Sequence, residues 1–104
     1  MYLIEIFLPV ADNENRKQPA ELFTQVRQEL VERFGGLTAF TRSPAKGLWQ
    51  SERNERQEDD IVIYEVMSDT LDRDWWRGYK RELEQRFRQE EMMMRSYQVD
   101  LFSD

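Results

Sequence analysis

The sequence contains neither cysteine nor histidine. These absences exclude disulfides, zinc sites with thiolate or imidazole ligands, histidine-ligated haem, and catalysis by a cysteine or a serine–histidine pair. Acidic residues outnumber basic ones by 21 to 15, and the resulting net charge of -6 disfavours contact with nucleic-acid phosphates. No apolar run approaches the roughly 18 residues needed to cross a bilayer. We therefore expect a cytoplasmic protein without a nucleic-acid or membrane partner.

The residues that are present suffice for one folded domain. The chain has 104 residues, of which 39% are hydrophobic and 12% are aromatic. A single hydrophobic core typically serves about 100 to 150 residues. We therefore expect one domain that spans residues 1–104.

Four segments have the composition of β-strands, and two have the apolar period of amphipathic helices. The first and third strands are almost continuously apolar, which indicates central strands. Gly35 and Gly36 favour a left-handed cap at the end of the first helix, and Ser68 or Asp69 is the expected cap of the second. The expected strands are Tyr2–Leu8, Leu37–Arg42, Ile61–Met67 and Met92–Phe102, the last one bulged near Arg95 and Ser96, and the expected helices are Pro19–Phe34 and 69–89.

Residues 43–60 separate the second and third strands. This segment contains Gly47 and Trp49, and it ends in the polar run SERNERQEDD, which has no apolar residue. Such a composition favours solvation over packing. We predict a mobile hairpin loop.

The order of the elements predicts an α+β fold of the ferredoxin-like βαββαβ type. Right-handed crossovers place both helices on one face of a four-stranded antiparallel sheet. The opposite face then carries Glu5 and Glu65 together with five apolar side chains, which are too many for a small monomer to leave in water. These are Leu3, Phe7, Ile61, Ile63 and Met67. A second copy of the same sheet would cover them, so we expect a homodimer.

Four stretches carry a resemblance to a known family. They are FGGLTAF (34–40), GLW (47–49), DDIVIYEV (59–66) and RQEEMMM (88–94). In these stretches the chain resembles an uncharacterised family of short bacterial proteins and, in its layout, the dimeric α/β-barrel superfamily. The superfamily includes cofactor-free monooxygenases, isomerases, haem enzymes and sensory modules. The resemblance implies a dimeric barrel, and the absent histidine speaks against the haem branch.

Glu5 and Glu65 are the sharpest candidates for chemistry. A carboxylate among apolar side chains is costly to ionise, so its pKa can rise to a value suited to proton transfer. Arg42 could neutralise one of the two glutamates, and Tyr64 could polarise a substrate carbonyl. The alternative interpretation is a structural ion pair at the interface between sheets, or glutamates in solvent.

Two tryptophans are candidate ligand contacts beside Glu5, Arg42 and Glu65. Trp76 lies one step from the apolar stripe of the second helix, and Trp49 lies in the predicted loop, where no period requires burial. The stripe itself, which we expect to form core, comprises Leu71, Trp75, Tyr79, Leu83 and Phe87. The alternative interpretation of both candidates is that they pack against the core.

The sequence supports no metal site and no cofactor. The acids of residues 52–60 lack the central glycine of a calcium loop, and no phosphate-binding glycine motif occurs. Three hypotheses remain for function. The first is a homodimeric small-molecule binding or sensory module, and the second is a cofactor-independent isomerase or monooxygenase that uses Glu5 or Glu65 as base. The third is a protein-interaction module that docks through the Trp49 loop.

Overall fold

The computed structural model describes residues 1–42 and 61–102, without the side chains of residues 40–42. The predicted loop at 43–60, with Trp49, lies outside the described residues, as does the Arg42 side chain. The elements are β1 (Tyr2–Pro9), α1 (Ala20–Phe34), β2 (Thr38–Arg42), β3 (Ile61–Ser68), α2 (Arg73–Arg86) and β4 (Met94–Gln98).

The four strands form one antiparallel sheet in the order β2-β3-β1-β4. With two helices between the strands along the chain, this is the expected α+β, ferredoxin-like βαββαβ fold. The two almost continuously apolar strands, β1 and β3, are the central ones, as predicted from their composition.

Both helices pack on one face of the sheet. Ile4, Ile6 and Leu8 of β1 alternate onto that face, and each is at most 2% exposed. They form one core with side chains from β3, from both helices and from the segment that precedes β4. These partners are Tyr64, Val66, Val26, Leu30, Trp76, Tyr79, Leu83, Phe87 and Met92.

The ends of the helices follow from local chemistry. α1 ends at Phe34 and is capped by Gly35. The φ of Gly35 is 88°, the left-handed conformation predicted for it, and its N–H donates to the Val31 carbonyl at 2.7 Å. α2 is capped by Asp72, because the Asp72 Oδ1 accepts from the Trp75 N–H at 3.1 Å. The predicted caps Ser68 and Asp69 are therefore wrong, since Ser68 still belongs to β3.

Two other details of the prediction are wrong. The β1–β4 pairing runs without a break from Met94 to Gln98, so there is no bulge near Arg95 and Ser96. α2 ends at Arg86 and not at residue 89, because Arg88 has a positive φ of 58°, which a right-handed helix cannot contain. Trp76 is only 8% exposed and belongs to the core, which was the alternative interpretation of this residue, and Trp75 is half-buried and packs against the same core, as its place on the apolar stripe predicts.

Candidate functional site

Glu5 and Glu65 lie directly opposite each other at the centre of the sheet. The register of β1 with β3 pairs Glu5 with Glu65, Leu3 with Met67, and Phe7 with Ile63. In an antiparallel sheet such partners point to the same face, about 4.5 to 5.5 Å apart at Cβ. As predicted, the two glutamates therefore lie next to each other on the sheet face opposite the helices.

Glu5 is held by two side chains of the neighbouring strand β4. The Arg95 Nε donates to Glu5 Oε1 at 2.7 Å, and the Tyr97 hydroxyl donates to Glu5 Oε2 at 3.3 Å. Burial alone would raise the pKa of Glu5, which is 6% exposed, but the hydrogen bonds from Arg95, Glu65 and Tyr97 and the charge of Arg95 bring that pKa below its usual value. Glu5 is therefore the ionised member of the pair.

Glu65 has the opposite tendency. Burial is the largest cause that raises the pKa of Glu65, and a hydrogen bond to Glu5 and the negative charge of Glu5 raise this pKa further. Two carboxyl groups this close titrate as a unit, and the first proton goes to Glu65, which has no cationic partner among the described side chains. The pair therefore consists of a carboxylate at Glu5 and a carboxyl group at Glu65 that keeps its proton to a higher pH.

Apolar side chains surround the pair, and they differ in exposure. Ile63 is already fully buried within the chain, so the apolar set that a second copy would have to cover is smaller than expected. Met67 is 47% exposed and Tyr97 is 46% exposed. The Phe7 ring lies beneath the Arg95 guanidinium, 5.1 Å from its carbon to the ring centroid. The site is thus a small polar centre with an incompletely covered apolar border.

Two of the other predicted site residues, Tyr64 and Trp76, do not join this pair. Tyr64 points to the helix-packed face, where its hydroxyl donates to the Phe23 carbonyl at 3.2 Å, and burial raises its pKa. Trp76 stacks on Phe34 with ring centroids 5.3 Å apart. The backbone of Arg42 pairs with Ile61 at the end of β2, so the described structure tests neither the role of its side chain nor that of Trp49.

Sequence reasoning missed Arg95 and Tyr97. The two residues are separated by one position, which places both on one face of a strand, but the predicted bulge between them obscured this alternation. Their partner became visible only with the β1–β4 register, which pairs Glu5 with Arg95.

Residues 1–42 and 61–102 contain no group of three acidic side chains arranged to hold a metal ion. Within the same residues, no helix has the length and apolar character that a membrane span requires. No protein-family model, no curated protein and no solved structure matches this chain.

The two glutamates should have opposite effects on the pH dependence of stability. The pKa of Glu65 is higher in the native state than its ordinary value of 4.5. Its contribution to the stability of the fold is therefore fully present below pH 4.5 and decreases as the pH rises. We therefore expect Glu65→Gln to gain stability relative to the wild type from pH 4 to pH 8. The measurement is urea unfolding followed by tryptophan fluorescence at each pH.

Glu5→Gln is the matched control for this titration. In the wild type, the pKa of Glu5 is lower in the native state than its ordinary value of 4.5. The ionised Glu5 therefore stabilises the fold above pH 4.5, and this stabilisation is lost as the pH falls. This variant should be less stable than the wild type at neutral pH, with a difference that shrinks toward pH 3.

Parallel pH profiles for Glu65→Gln and the wild type would show that Glu65 has no raised pKa.

Proposed function

We propose that the protein is a homodimeric binding or sensory module that holds a small, uncharged, partly apolar molecule between two sheets. The observation that carries this proposal is the direct opposition of Glu5 and Glu65 on a sheet face with an apolar border. The dimeric α/β-barrel architecture, the kinship with short bacterial proteins and the cytoplasmic location belong to the same proposal.

The exposed apolar groups support the dimer. Met67 and Tyr97 are about half exposed, and Leu3 and Phe7 beside them are half-buried. An apolar patch rimmed by polar groups is typical of an interaction site. A two-fold axis lets the same patch cover itself, which makes a second copy of this chain the simplest occupant.

The charges of the site indicate the chemistry of the ligand. Glu5 and Arg95 neutralise each other, and burial and the charge of Glu5, which raise the pKa of Glu65, favour its uncharged form. A charged ligand would therefore enter an apolar chamber in which no described side chain is free to act as its counter-ion, which is costly. A protonated carboxyl group can instead donate a hydrogen bond to a carbonyl or hydroxyl oxygen. The site is thus suited to a neutral ketone, aldehyde, amide or alcohol.

The dimer should depend on Met67. A carboxylate at this position would be buried twice in a symmetric interface, so we expect Met67→Asp to weaken dimerisation by about tenfold or more. Sedimentation velocity should give twice the chain mass of 12.7 kDa for the wild type and 12.7 kDa for the variant.

Val31→Asp is the matched control, because Val31 is 41% exposed on α1, away from this face. It should leave the dimer intact. A wild-type protein that sediments as a monomer at a concentration of about 100 µM would refute the dimer.

Ligand binding should depend on the proton of Glu65. Prodan, an uncharged naphthyl ketone whose emission moves to the blue in apolar surroundings, is a suitable probe. Glu65→Leu removes the donor and should weaken binding by about tenfold, the effect of about 1.4 kcal/mol. Glu65→Gln keeps an N–H donor and should retain most of the affinity, whereas equal losses in both variants would contradict the proposed hydrogen bond.

A cofactor-independent enzyme is the second candidate, and the raised pKa of Glu65 favours it. A carboxyl group with such a pKa can exchange a proton with the carbon next to a ketone, as an isomerase must. We expect the wild type to accelerate hydrogen exchange of phenylacetone in heavy water, as followed by NMR, and Glu65→Gln to fall to the buffer rate. Exchange at the buffer rate in the wild type would leave only the binding function.

A further inference from the structure

A second cleft lies between α2 and the edge strand β4. Its volume is about 160 Å³. Ile4 and Ser96 face each other in the β1–β4 register, and they point to the helix-packed face of the sheet. Glu5 is on the opposite face, so this cleft is separate from the glutamate pair.

The floor of the cleft is apolar. Ile4 and Trp76 are 2% and 8% exposed, and they approach the cleft from the sheet and from α2. Leu71 and Met94 complete the floor, and both are half-buried. An indole beside aliphatic side chains favours a flat apolar group, such as an aromatic ring.

The rim of the cleft is basic. Arg73, Arg77 and Lys80 follow each other at steps of four and three along α2, so they stand on one side of the helix. Arg77 donates to Asp74 at 3.1 Å through one nitrogen only, which leaves other N–H donors of its guanidinium available. Lys80 is held by Glu84 and Glu91 at 2.7 and 2.9 Å.

Arg73 is the rim residue best placed to receive an anion. Among the residues that the structure describes, no acidic side chain forms a salt bridge with it. Arg95 also borders the cleft, but its guanidinium is bonded to Glu5 on the other face. The anion-binding capacity of the rim therefore rests on Arg73 and Arg77.

We propose that this cleft binds a small aromatic carboxylate, with the ring on the Trp76 floor and the carboxylate on Arg73 and Arg77. The volume of about 160 Å³ has room for one aromatic ring with a short acidic group. Guanidinium groups bind carboxylates through paired, charge-assisted hydrogen bonds. The site stands independently of the proposed function of the glutamate face.

Benzoate is the test ligand, and the indole N–H resonance of Trp76, assigned by its loss in Trp76→Phe, is the reporter. We expect a saturable shift with a dissociation constant of about 1 mM or below. Arg73→Gln and Arg77→Gln should each weaken binding by about tenfold, the effect of losing one charge-assisted hydrogen bond.

Two controls separate this site from weak general attraction. Benzamide has the same ring without the charge and should bind at least about tenfold more weakly than benzoate. Arg81→Gln removes an exposed arginine of α2 that does not line the cleft, and it should leave binding unchanged. The proposal is overturned by equal binding of benzamide, by an equal loss in Arg81→Gln, or by the absence of a saturable shift.

Discussion

The opposition of Glu5 and Glu65 is the constraint around which the described sheet is organised. Like charges directly across an antiparallel pair repel each other, and burial increases the cost of ionising both. β4 compensates on one side, because Arg95 and Tyr97 bind Glu5. On the other side, burial and the charge of Glu5 raise the pKa of Glu65, which favours its protonated form. The pair is thereby made compatible with the fold.

The same register determines the core. Ile4, Ile6 and Leu8 reach the helices only because Glu5 alternates with them toward the opposite face. A slip of β1 by one residue would bring Glu5 into the helix-packed core and expose the isoleucines. The free energy gained by burying the core therefore also holds the two carboxyl groups next to each other. A mutation in the core that weakens this register also weakens the pairing of Glu5 with Glu65.

The edge strand β4 serves both faces of the sheet. Arg95 and Tyr97 point toward the glutamates, whereas Met94 and Ser96 border the cleft beneath α2. Because side chains alternate between the two faces of a strand, the five residues of β4 supply a cation and a hydroxyl to the glutamate face and part of the cleft to the helix-packed face. The proposed carbonyl site and the proposed carboxylate site are therefore close in sequence but lie on opposite sides of one strand.

Much of the architecture could be predicted from local patterns. The order of elements, the central position of β1 and β3, the left-handed Gly35 and the common face of Glu5 and Glu65 follow from apolar periods, the lack of a Cβ in glycine and the two-residue alternation of strands. Errors arose where two local signals were equivalent. Asp72 and Asp69 are equally good caps by type, and only the bond from the Trp75 N–H decides between them.

The sequence by itself determined the excluded chemistry, the fold class and the face on which the glutamates stand, because composition and periodicity are properties of single segments. Only the tertiary structure decided which strand residues face each other across the sheet. It thereby selected Arg95 and Tyr97 as partners of Glu5, left Glu65 without a cation among the described residues, and turned Trp76 into the floor of a cleft. These relations join residues up to 92 positions apart, and no local pattern specifies such pairs.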